Sequence, residues 1–466
     1  MKNKLSFLIG LCSNSHDKTN RFLVSLIHAT EISKFRDNWG KIVVVRPAQY
    51  KEKFLKLSAF IQKKLVSSNI DFLQLRPKIS KDIWTNIEIR KSLFGLFGNT
   101  QYHIAAQRNR TILAIKEVVG KEPFDLYAIL DDDLIFENAI LRKQKNRFRQ
   151  VTDVDFINTF DFFKHLLKIK RYTGKGPVIG GNTGCPPIPP SSAIASMISD
   201  KKQSLAGLRR YGKIIQAQFD DYYYDLTEKD TRSSESGYWL PFKYKEKEIA
   251  PNLQNMLLGI TTSRPLLFDE KRLLSTPMPS FLRGGNTYFD SWEQLSKTPH
   301  LSLVANGVST RRSDMISARL FSESGAKYYQ TYFPLGHFRM RENNERITKE
   351  AFRSSLIRET FGFVFLRAFN SFVDNKNWRK TWDIKFNRRL YDLEMMFSIV
   401  QREMLKSKRL FSLQEIDLVN KLCQWEGINS ILVQYDKIFK EQCQLILNQL
   451  DNILKCWDRE IKRNTQ

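Results

Sequence analysis

The chain has few cysteines, and their spacing excludes two common classes of small, cross-linked protein. Only five cysteines occur in 466 residues, and no two of them form a Cys-x-x-Cys pair. A disulfide framework needs an even set of cysteines, and a zinc ribbon needs close pairs. We therefore expect a protein of a reducing compartment, and the predicted location is the cytoplasm.

Long apolar runs are also missing. A membrane-spanning helix needs about 20 consecutive apolar residues, and no stretch of the sequence approaches that length. The apolar run at residues 5–11 is shorter than a usual signal-peptide core, and it ends in a polar Ser-Asn-Ser-His-Asp segment. We predict that this run forms the first strand of the fold.

Acidic residues are scarce relative to basic ones. The 75 Lys and Arg exceed the 49 Asp and Glu, and the formal net charge is +26. Such a charge attracts nucleic acid, an anionic membrane surface or phosphorylated small molecules. The basic residues are spread along the chain and no RRM, KH or zinc signature is present, so nucleic acid is the least favoured of these partners. Peripheral contact with an anionic membrane remains an alternative.

The composition is that of a globular protein, with 42% hydrophobic and 12% aromatic residues. Strand and helix patterns alternate along the first 120 residues. They predict strands at 5–11, 41–46 and 71–75 and helices at 21–35, 50–66 and 102–119. This alternation predicts an α/β fold with a mostly parallel, Rossmann-like sheet flanked by helices. After residue 345 the pattern changes to long amphipathic helices, which predict an α-helical C-terminal domain.

Three consecutive carboxylates, Asp131, Asp132 and Asp133, follow the apolar run Leu-Tyr-Ala-Ile-Leu. If the strand continues through them, Asp131 and Asp133 point to one face of the sheet and Asp132 to the other. Two converging carboxylates need a cation between them, and their hard oxygen atoms suit Mg²⁺ or Mn²⁺. The other interpretation is an acidic turn that caps the next helix.

The predicted helix before this strand carries Arg108 on its apolar stripe. A helix that leads into a strand runs antiparallel to it, so the early turns of the helix lie near the strand's carboxyl end. Arg108 is therefore expected near Asp131, or Arg108 and Arg110 bind a phosphate. An arginine with a purely structural ion pair is equally compatible with the pattern.

With these features, the chain resembles a glycosyltransferase of the GT-A fold, and family 2-like enzymes most of all. The resemblance rests on Asp131–Asp133, on Arg108 with Asn109 and Arg110, on the segment Arg283-Gly284-Gly285, and on His337. It covers residues 1–345 and divides them into a nucleotide-sugar-binding half (1–137), an insertion or acceptor region (138–250) and a catalytic half (251–345), with the helical domain at 346–466.

The resemblance implies a role for each of these residues. Asp131 and Asp133 match the Asp-x-Asp motif, which binds a Mn²⁺ or Mg²⁺ ion, and Asp132 is the alternative ligand. His337 or His300 is the expected histidine ligand. Asp131 also contacts the donor, together with Arg108, Asn109, Arg110, Arg283, Gly284 and Gly285. The implied activity is transfer of a sugar, with inversion, from a nucleotide-sugar donor to a hydroxyl of a glycan or of a lipid-linked acceptor.

The catalytic base is less well defined by the resemblance. Asn286 occupies a position where an aspartate is expected, which leaves Asp290, Glu293 and Asp314 as candidates. Asp314 is preferred because it follows a Gly-containing loop and lies next to Arg311 and Arg312 in the sequence.

Other phosphate enzymes fit the sequence less well. A sugar nucleotidyltransferase usually has a Gly-rich, basic loop after the first strand, whereas this chain has Ser-Asn-Ser-His-Asp there. A haloacid-dehalogenase-like phosphatase needs Thr or Val where Ile135 stands. The absence of a Gly-x-x-x-x-Gly-Lys-Ser/Thr sequence excludes a P-loop kinase.

Overall fold

The computed structural model describes most of the chain, in fourteen segments with gaps between them. These segments are 4–13, 15–48, 52–94, 104–136, 140–141, 161–184, 190–205, 215–216, 238–239, 249–257, 266–269, 276–280, 284–337 and 351–463. The fold is α/β, with a mixed, mostly parallel central sheet followed by a helical C-terminal region.

The strands of the described segments are β1 (Leu5–Cys12), β2 (Trp39–Pro47), β3 (Ile70–Leu75), β4 (Leu126–Asp131), β5 (Leu134–Ile135), β6 (Ile140–Leu141), β7 (Val178–Gly184), β8 (Ile215–Gln216), β9 (Tyr238–Trp239), β10 (Leu266–Asp269), β11 (Met278–Ser280), β12 (Asn286–Phe289), β13 (Val304–Ala305), β14 (Val308–Ser309) and β15 (Tyr328–His337). The helices are α1 (His16–Ile32), α2 (Ala59–Ser67), α3 (Lys81–Thr85), α4 (Ile87–Phe94), α5 (Ile104–Val119), α6 (Phe162–Thr173), α7 (Pro190–Leu205), α8 (Ile249–Leu257), α9 (Trp292–Ser296), α10 (Ser313–Ser322), α11 (Ala351–Val373), α12 (Trp378–Lys406), α13 (Leu413–Leu422), α14 (Trp425–Asn448) and α15 (Leu450–Lys462).

The central strands set the direction of the sheet. Strands β3, β2, β1 and β4 lie side by side and are all parallel. Next to β4 lies β12, which is antiparallel to it, and then β7, which also pairs in parallel with β15. The carboxyl ends of the four parallel strands therefore meet at one edge of the sheet, where open α/β folds bind ligands.

The sheet separates two hydrophobic layers. Along β1, Phe7 and Ile9 belong to one layer and Leu8 to the other, as the two-residue period of a strand requires. Helix α5 packs very closely on β1 at Gly10, where a Cβ atom would lie 2.6 Å from Thr111 and Ile115. A side chain at Gly10 would push the helix away from the sheet.

The C-terminal helices pack on the α/β part. One continuous cluster of buried hydrophobic side chains extends from Leu8 in β1 to Trp457 in α15. Polar contacts reinforce this packing, because Trp457 Nε1 donates to the Ser296 carbonyl at 2.8 Å and the Val304 amide donates to Gln442 at 2.9 Å. The predicted boundary at residue 345 lies outside the described residues.

Two predicted helices differ from the structure at their boundaries. The predicted helix 50–66 is wrong over the described residues 52–58, because α2 begins after Ser58, whose side chain accepts from the Ile61 amide. The backbone before Ser58 forms a different hydrogen bond, because the Leu55 amide donates to the Gln74 side chain at 2.8 Å. Helix α1 begins five residues before the predicted helix 21–35, because Ser15 caps it through the Lys18 amide. Most of the predicted insertion 138–250 lies outside the described residues.

Candidate functional site

The acidic triplet lies at the carboxyl end of β4, at the centre of the sheet. The strand ends at Asp131, and Asp132 and Asp133 form the turn into β5. The main chain of the triplet is fixed by its neighbours, because the Asp131 amide donates to the Gly285 carbonyl and the Asp132 amide to the Cys12 carbonyl. The expected alternation of side chains across a strand does not apply here, since the strand has ended and a turn directs each carboxylate separately.

Arg108 of α5 joins two of the predicted site residues. Its Nη2 lies 2.8 Å from Oδ2 and 3.2 Å from Oδ1 of Asp131, and its Nη1 lies 3.7 Å from Oδ2 of Asp314. The predicted contact between Arg108 and Asp131 is therefore confirmed. Burial raises the pKa of Asp131, the Arg108 guanidinium opposes that rise, and the nearby Asp133 carboxylate adds to it. The buried arginine thus contacts two carboxylates that are themselves partly exposed.

Asp133 contacts His337 at the end of β15. The two residues meet because β15 pairs with β5, which places His337 opposite Leu134. His337 Nε2 lies 3.0 Å from Asp133 Oδ2, and the histidine is buried. Adjacent ligands in an octahedral shell of about 2.1 Å radius are about 3.0 Å apart. The contact is that of an ion pair or hydrogen bond, and the same separation is compatible with two neighbouring positions of a Mg²⁺ or Mn²⁺ shell.

The predicted ligands do not form one group of three. Asp131 faces Arg108, whereas Asp133 faces His337, and within the described part of the chain no cluster of three His, Cys, Asp or Glu side chains is arranged to hold a metal ion. Among the described side chains, two neighbouring candidate ligands are thus present, Asp133 and His337. Magnesium is commonly bound by one or two carboxylates together with substrate phosphates and water, so two protein ligands are compatible with such an ion.

Asp132 has a different environment from its neighbours. Its Oδ2 accepts from the Ser13 hydroxyl at 2.8 Å, in the segment that follows β1. Burial raises the pKa of Asp132 to about 7, against the attraction of Lys18. Burial also raises the pKa of the adjacent Cys12 thiol to about 12, which keeps it protonated and excludes it as a nucleophile at neutral pH.

Asp314 is placed by the loop that precedes α10. Arg312, directly before this helix, has a left-handed backbone conformation with φ of 75°. Residues of α11 hold the loop in place: Glu359 forms an ion pair with Arg311 and lies 3.9 Å from Arg312, and the Arg358 carbonyl accepts from the Arg311 amide. The cation beside Asp314 is therefore Arg108. Arg311 and Arg312, which shortly precede Asp314 in the sequence, face Glu359 instead.

The glycine pair before β12 has two distinct environments. A Cβ atom at Gly285 would lie 2.6 Å from Cγ of Asp131 and 3.3 Å from Nη2 of Arg108, so only glycine fits without moving the carboxylate. Gly284 has open space around its Cα. Arg283, the third predicted donor-binding residue of this segment, lies outside the described residues.

Asn109 and Arg110 bind the main chain of the protein. The Asn109 amide donates to the carbonyls of Leu93 and His300 and accepts from the His300 amide, at 2.7 to 2.9 Å. Arg110 is buried and donates to the Ala48 carbonyl at 2.6 Å. These contacts tie α5, and with it Arg108, to the surrounding loops.

Asp290 and Glu293 lie away from the acidic triplet. Because β12 runs antiparallel to β4, Asn286 is opposite Leu130 but Phe289 is opposite Tyr127, at the other end of β4. Asp290 follows Phe289. The pKa of the Tyr127 hydroxyl is raised, mainly by burial and also by the nearby Glu293 carboxylate, so Glu293 lies at that end of β4 as well. The structure therefore leaves Asp314 as the one sequence-predicted base that contacts the triplet's arginine.

A buried arginine at the same edge of the sheet was missed in the sequence analysis. Arg46, which directly precedes Pro47 at the end of β2, is fully buried and lies 2.5 Å from Glu52, which also contacts His16 at 2.8 Å. Its Nε and Nη1 atoms have no hydrogen-bond partner among the described residues. A cation at the end of an otherwise apolar strand, Lys-Ile-Val-Val-Val-Arg, was the signal that the sequence offered.

No family model matches the sequence, and no curated protein matches it significantly. Among the helices of the described segments, none is both long and apolar enough to cross a membrane.

Proposed function

We propose that this chain is a metal-dependent glycosyltransferase of the GT-A type, which transfers a sugar from a nucleotide-sugar donor to a hydroxyl of a glycan or lipid-linked acceptor with inversion. The observation that carries the proposal is the contact of one buried arginine, Arg108, with both Asp131 and Asp314 at the carboxyl end of β4. The contact of Asp133 with His337 in the same turn supports it.

Asp314 is the proposed base. During transfer the acceptor oxygen bonds to the anomeric carbon of the donor, the bond from that carbon to the diphosphate breaks, and the acceptor proton passes to the Asp314 carboxylate. Arg108 fixes the position of this carboxylate relative to Asp131. The half-buried position of Asp314 leaves it accessible to an acceptor.

Asp133 and His337, whose side chains face each other at 3.0 Å, are the proposed metal ligands. A bound Mg²⁺ or Mn²⁺ ion would neutralise charge on the diphosphate leaving group. The basic surface of the chain, with a net charge of +26, favours the approach of such an anionic donor.

A thermal-shift screen of UDP-, GDP-, CMP- and dTDP-sugars, with and without Mn²⁺, tests donor binding. At least one donor should stabilise the wild-type protein only with the metal, by about 2.7 kcal/mol at a concentration one hundred times its Kd. Asp133→Ala should lose this response. Asp71→Ala, at an exposed site in β3, should keep it.

The role of Asp314 is tested with the donor so identified. Asp314→Asn should keep the metal-dependent stabilisation but lose transfer by a factor of about 10² to 10⁴, which is the usual contribution of a general base. Unchanged transfer by this variant would assign the base elsewhere, and the absence of any metal-dependent donor response in folded wild-type protein would reject the proposed function.

A further inference from the structure

A surface formed by α2 and the segment before it combines exposed apolar and basic side chains. Phe54, Phe60 and Val66 are 50%, 68% and 80% exposed. Lys53, Lys56 and Lys63 are exposed beside them. We refer to these six residues as the 53–66 face.

The apolar residues of this face are not needed for packing. Helix α2 and its preceding segment use Leu57, Ile61 and Leu65 to contact the hydrophobic layer under the sheet. Phe60 and Val66 point to the other side, where they contribute little to the core. Single exposed apolar residues are common on proteins, but three of them among lysines on one short segment form a patch that fits a specific kind of partner.

The charge of the face has one sign. Residues 53–67 contain four lysines and no Asp or Glu. The acidic residues nearby are already paired: Glu52 contacts Arg46 at 2.5 Å, and Glu31 contacts Lys64 at 2.5 Å. A further cation lies at the edge of the face, because the guanidinium of Arg76 stacks over the Phe54 ring at 4.7 Å.

We propose that the 53–66 face binds the surface of an anionic membrane. The phenylalanine rings and Val66 enter the boundary between headgroups and acyl chains, and the lysines extend to the lipid phosphates. The alternation of cations and rings fits this partner better than a protein groove, because every polar group of the face is positive and an anionic bilayer is negative throughout. Membrane contact at this face does not depend on the proposed transferase activity.

The position of the face relates it to the candidate functional site. The Leu55 amide bonds to Gln74, near the carboxyl end of β3, so the start of the face lies at the same edge of the sheet as Asp131. The Phe-rich helix α11 is a weaker candidate, because Phe352, Phe361 and Phe365 are buried in the core.

Co-sedimentation of the full chain with vesicles tests the proposal. Vesicles of phosphatidylcholine with about one third phosphatidylglycerol should sediment the protein, and pure phosphatidylcholine vesicles should sediment much less of it. The double substitution Phe54→Ser and Phe60→Ser should reduce partitioning to the anionic vesicles by about tenfold or more, since each half-inserted ring contributes roughly one factor of ten or less. The triple substitution Lys53→Gln, Lys56→Gln and Lys63→Gln should reduce it by a similar factor and weaken its dependence on salt.

A matched control uses exposed apolar residues on another helix. Ile384 and Tyr391 of α12 are 54% and 52% exposed, and replacing both with serine should leave vesicle binding unchanged. The proposal is overturned if the wild-type protein does not sediment with anionic vesicles, if the Phe54/Phe60 variant binds as the wild type does, or if the α12 control loses binding equally. The substituted residues are all exposed, and unchanged unfolding curves would confirm that each variant is folded.

Discussion

At the scale of single residues, Gly285 explains how the backbone comes so close to the acidic triplet. An added Cβ atom would lie 2.6 Å from Cγ of Asp131, which Arg108 holds in place. We expect Gly285→Ala to displace this carboxylate, to lower the free energy of unfolding by about 1–3 kcal/mol as overpacking usually does, and to abolish the metal-dependent donor response. Urea unfolding and the thermal-shift screen measure both effects.

The neighbouring glycine gives the control. Gly284 faces open space, so Gly284→Ala should change the free energy of unfolding by less than about 0.5 kcal/mol. Equal effects of the two substitutions would mean that the loop as a whole, and not the contact with Asp131, is sensitive to a side chain.

Asp132 makes the stability of the protein depend on pH. Burial raises its pKa to about 7, whereas an aspartate in an unfolded chain has a pKa of about 3.9. Between these values the folded protein retains a proton that the unfolded chain has lost, so this group lowers stability as pH rises from about 4 to 7, and its full cost is present above pH 7. Asp132→Asn should therefore be more stable than the wild type at about pH 8, by on the order of 1 kcal/mol or more.

This difference should disappear near pH 4, where Asp132 is protonated in both states. The Oδ1 atom of the asparagine can still accept a hydrogen bond from the Ser13 hydroxyl, so this bond is kept in the variant. Urea unfolding with a chelator present measures the difference without interference from metal ions. A variant that is less stable than the wild type at both pH values would contradict the prediction.

The contact of Arg108 with Asp131 could be predicted because it depends on local order, a helix that leads directly into a strand. The contacts of Glu359 with Arg311 could not, since they join residues 48 positions apart through a packing arrangement that no short pattern encodes. The contacts of the Asn109 side chain could not be predicted either, because its partner His300 lies 191 positions away.

At the scale of elements, helix α11 supports the loop that carries Asp314. Gly362 in this helix lies against the main chain of Arg311, where a Cβ atom would be 2.8 Å from the carbonyl oxygen. Main-chain atoms cannot move aside as a flexible side chain can. We expect Gly362→Ala to push α11 away from the loop, to lower the free energy of unfolding by about 1–3 kcal/mol and to reduce transfer activity.

Gly427 of α14 is the matched control for this substitution. A Cβ atom there would be 3.4 Å from the flexible end of Arg353, so Gly427→Ala should be neutral or should stabilise by up to about 1 kcal/mol through helix propensity. If Gly362→Ala also stabilises the protein, the packing of α11 on the loop is looser than the structure indicates.

The direction of β12 is the element-scale feature that the sequence pattern did not reveal. An alternation of strands and helices predicts parallel pairing, but β12 enters the sheet antiparallel to β4. This reversal carries Asp290 away from the triplet, although Gly285 at the other end of the strand touches it. A capping box is a local feature by contrast, and Ser412 and Glu415 form one at the start of α13.

At the scale of the whole molecule, a buried ion pair joins the α/β part to the C-terminal helices. Lys201 of α7 lies 2.6 Å from both carboxylate oxygens of Glu415 in α13, and both side chains are almost fully buried. Together with the continuous hydrophobic cluster, this pair leads us to expect that the two parts unfold in one transition. The sequence indicated a change from α/β to helical patterns near residue 345, but it could not indicate how extensively the two would pack.

Removing one partner of the ion pair tests this coupling. Lys201→Met leaves the Glu415 carboxylate buried without its counter-ion, and we expect it to lower the free energy of unfolding by about 3–5 kcal/mol. Adding Glu415→Gln should recover much of the loss, because glutamine is neutral and can still complete the capping box with Ser412.

The adjacent Lys202 pairs with Glu403 at 2.7 Å, but both side chains are partly exposed, so Lys202→Met should cost about 1 kcal/mol or less. Urea unfolding followed by both circular dichroism and tryptophan fluorescence would measure these values, and two separate transitions in the wild type would contradict the single cooperative unit.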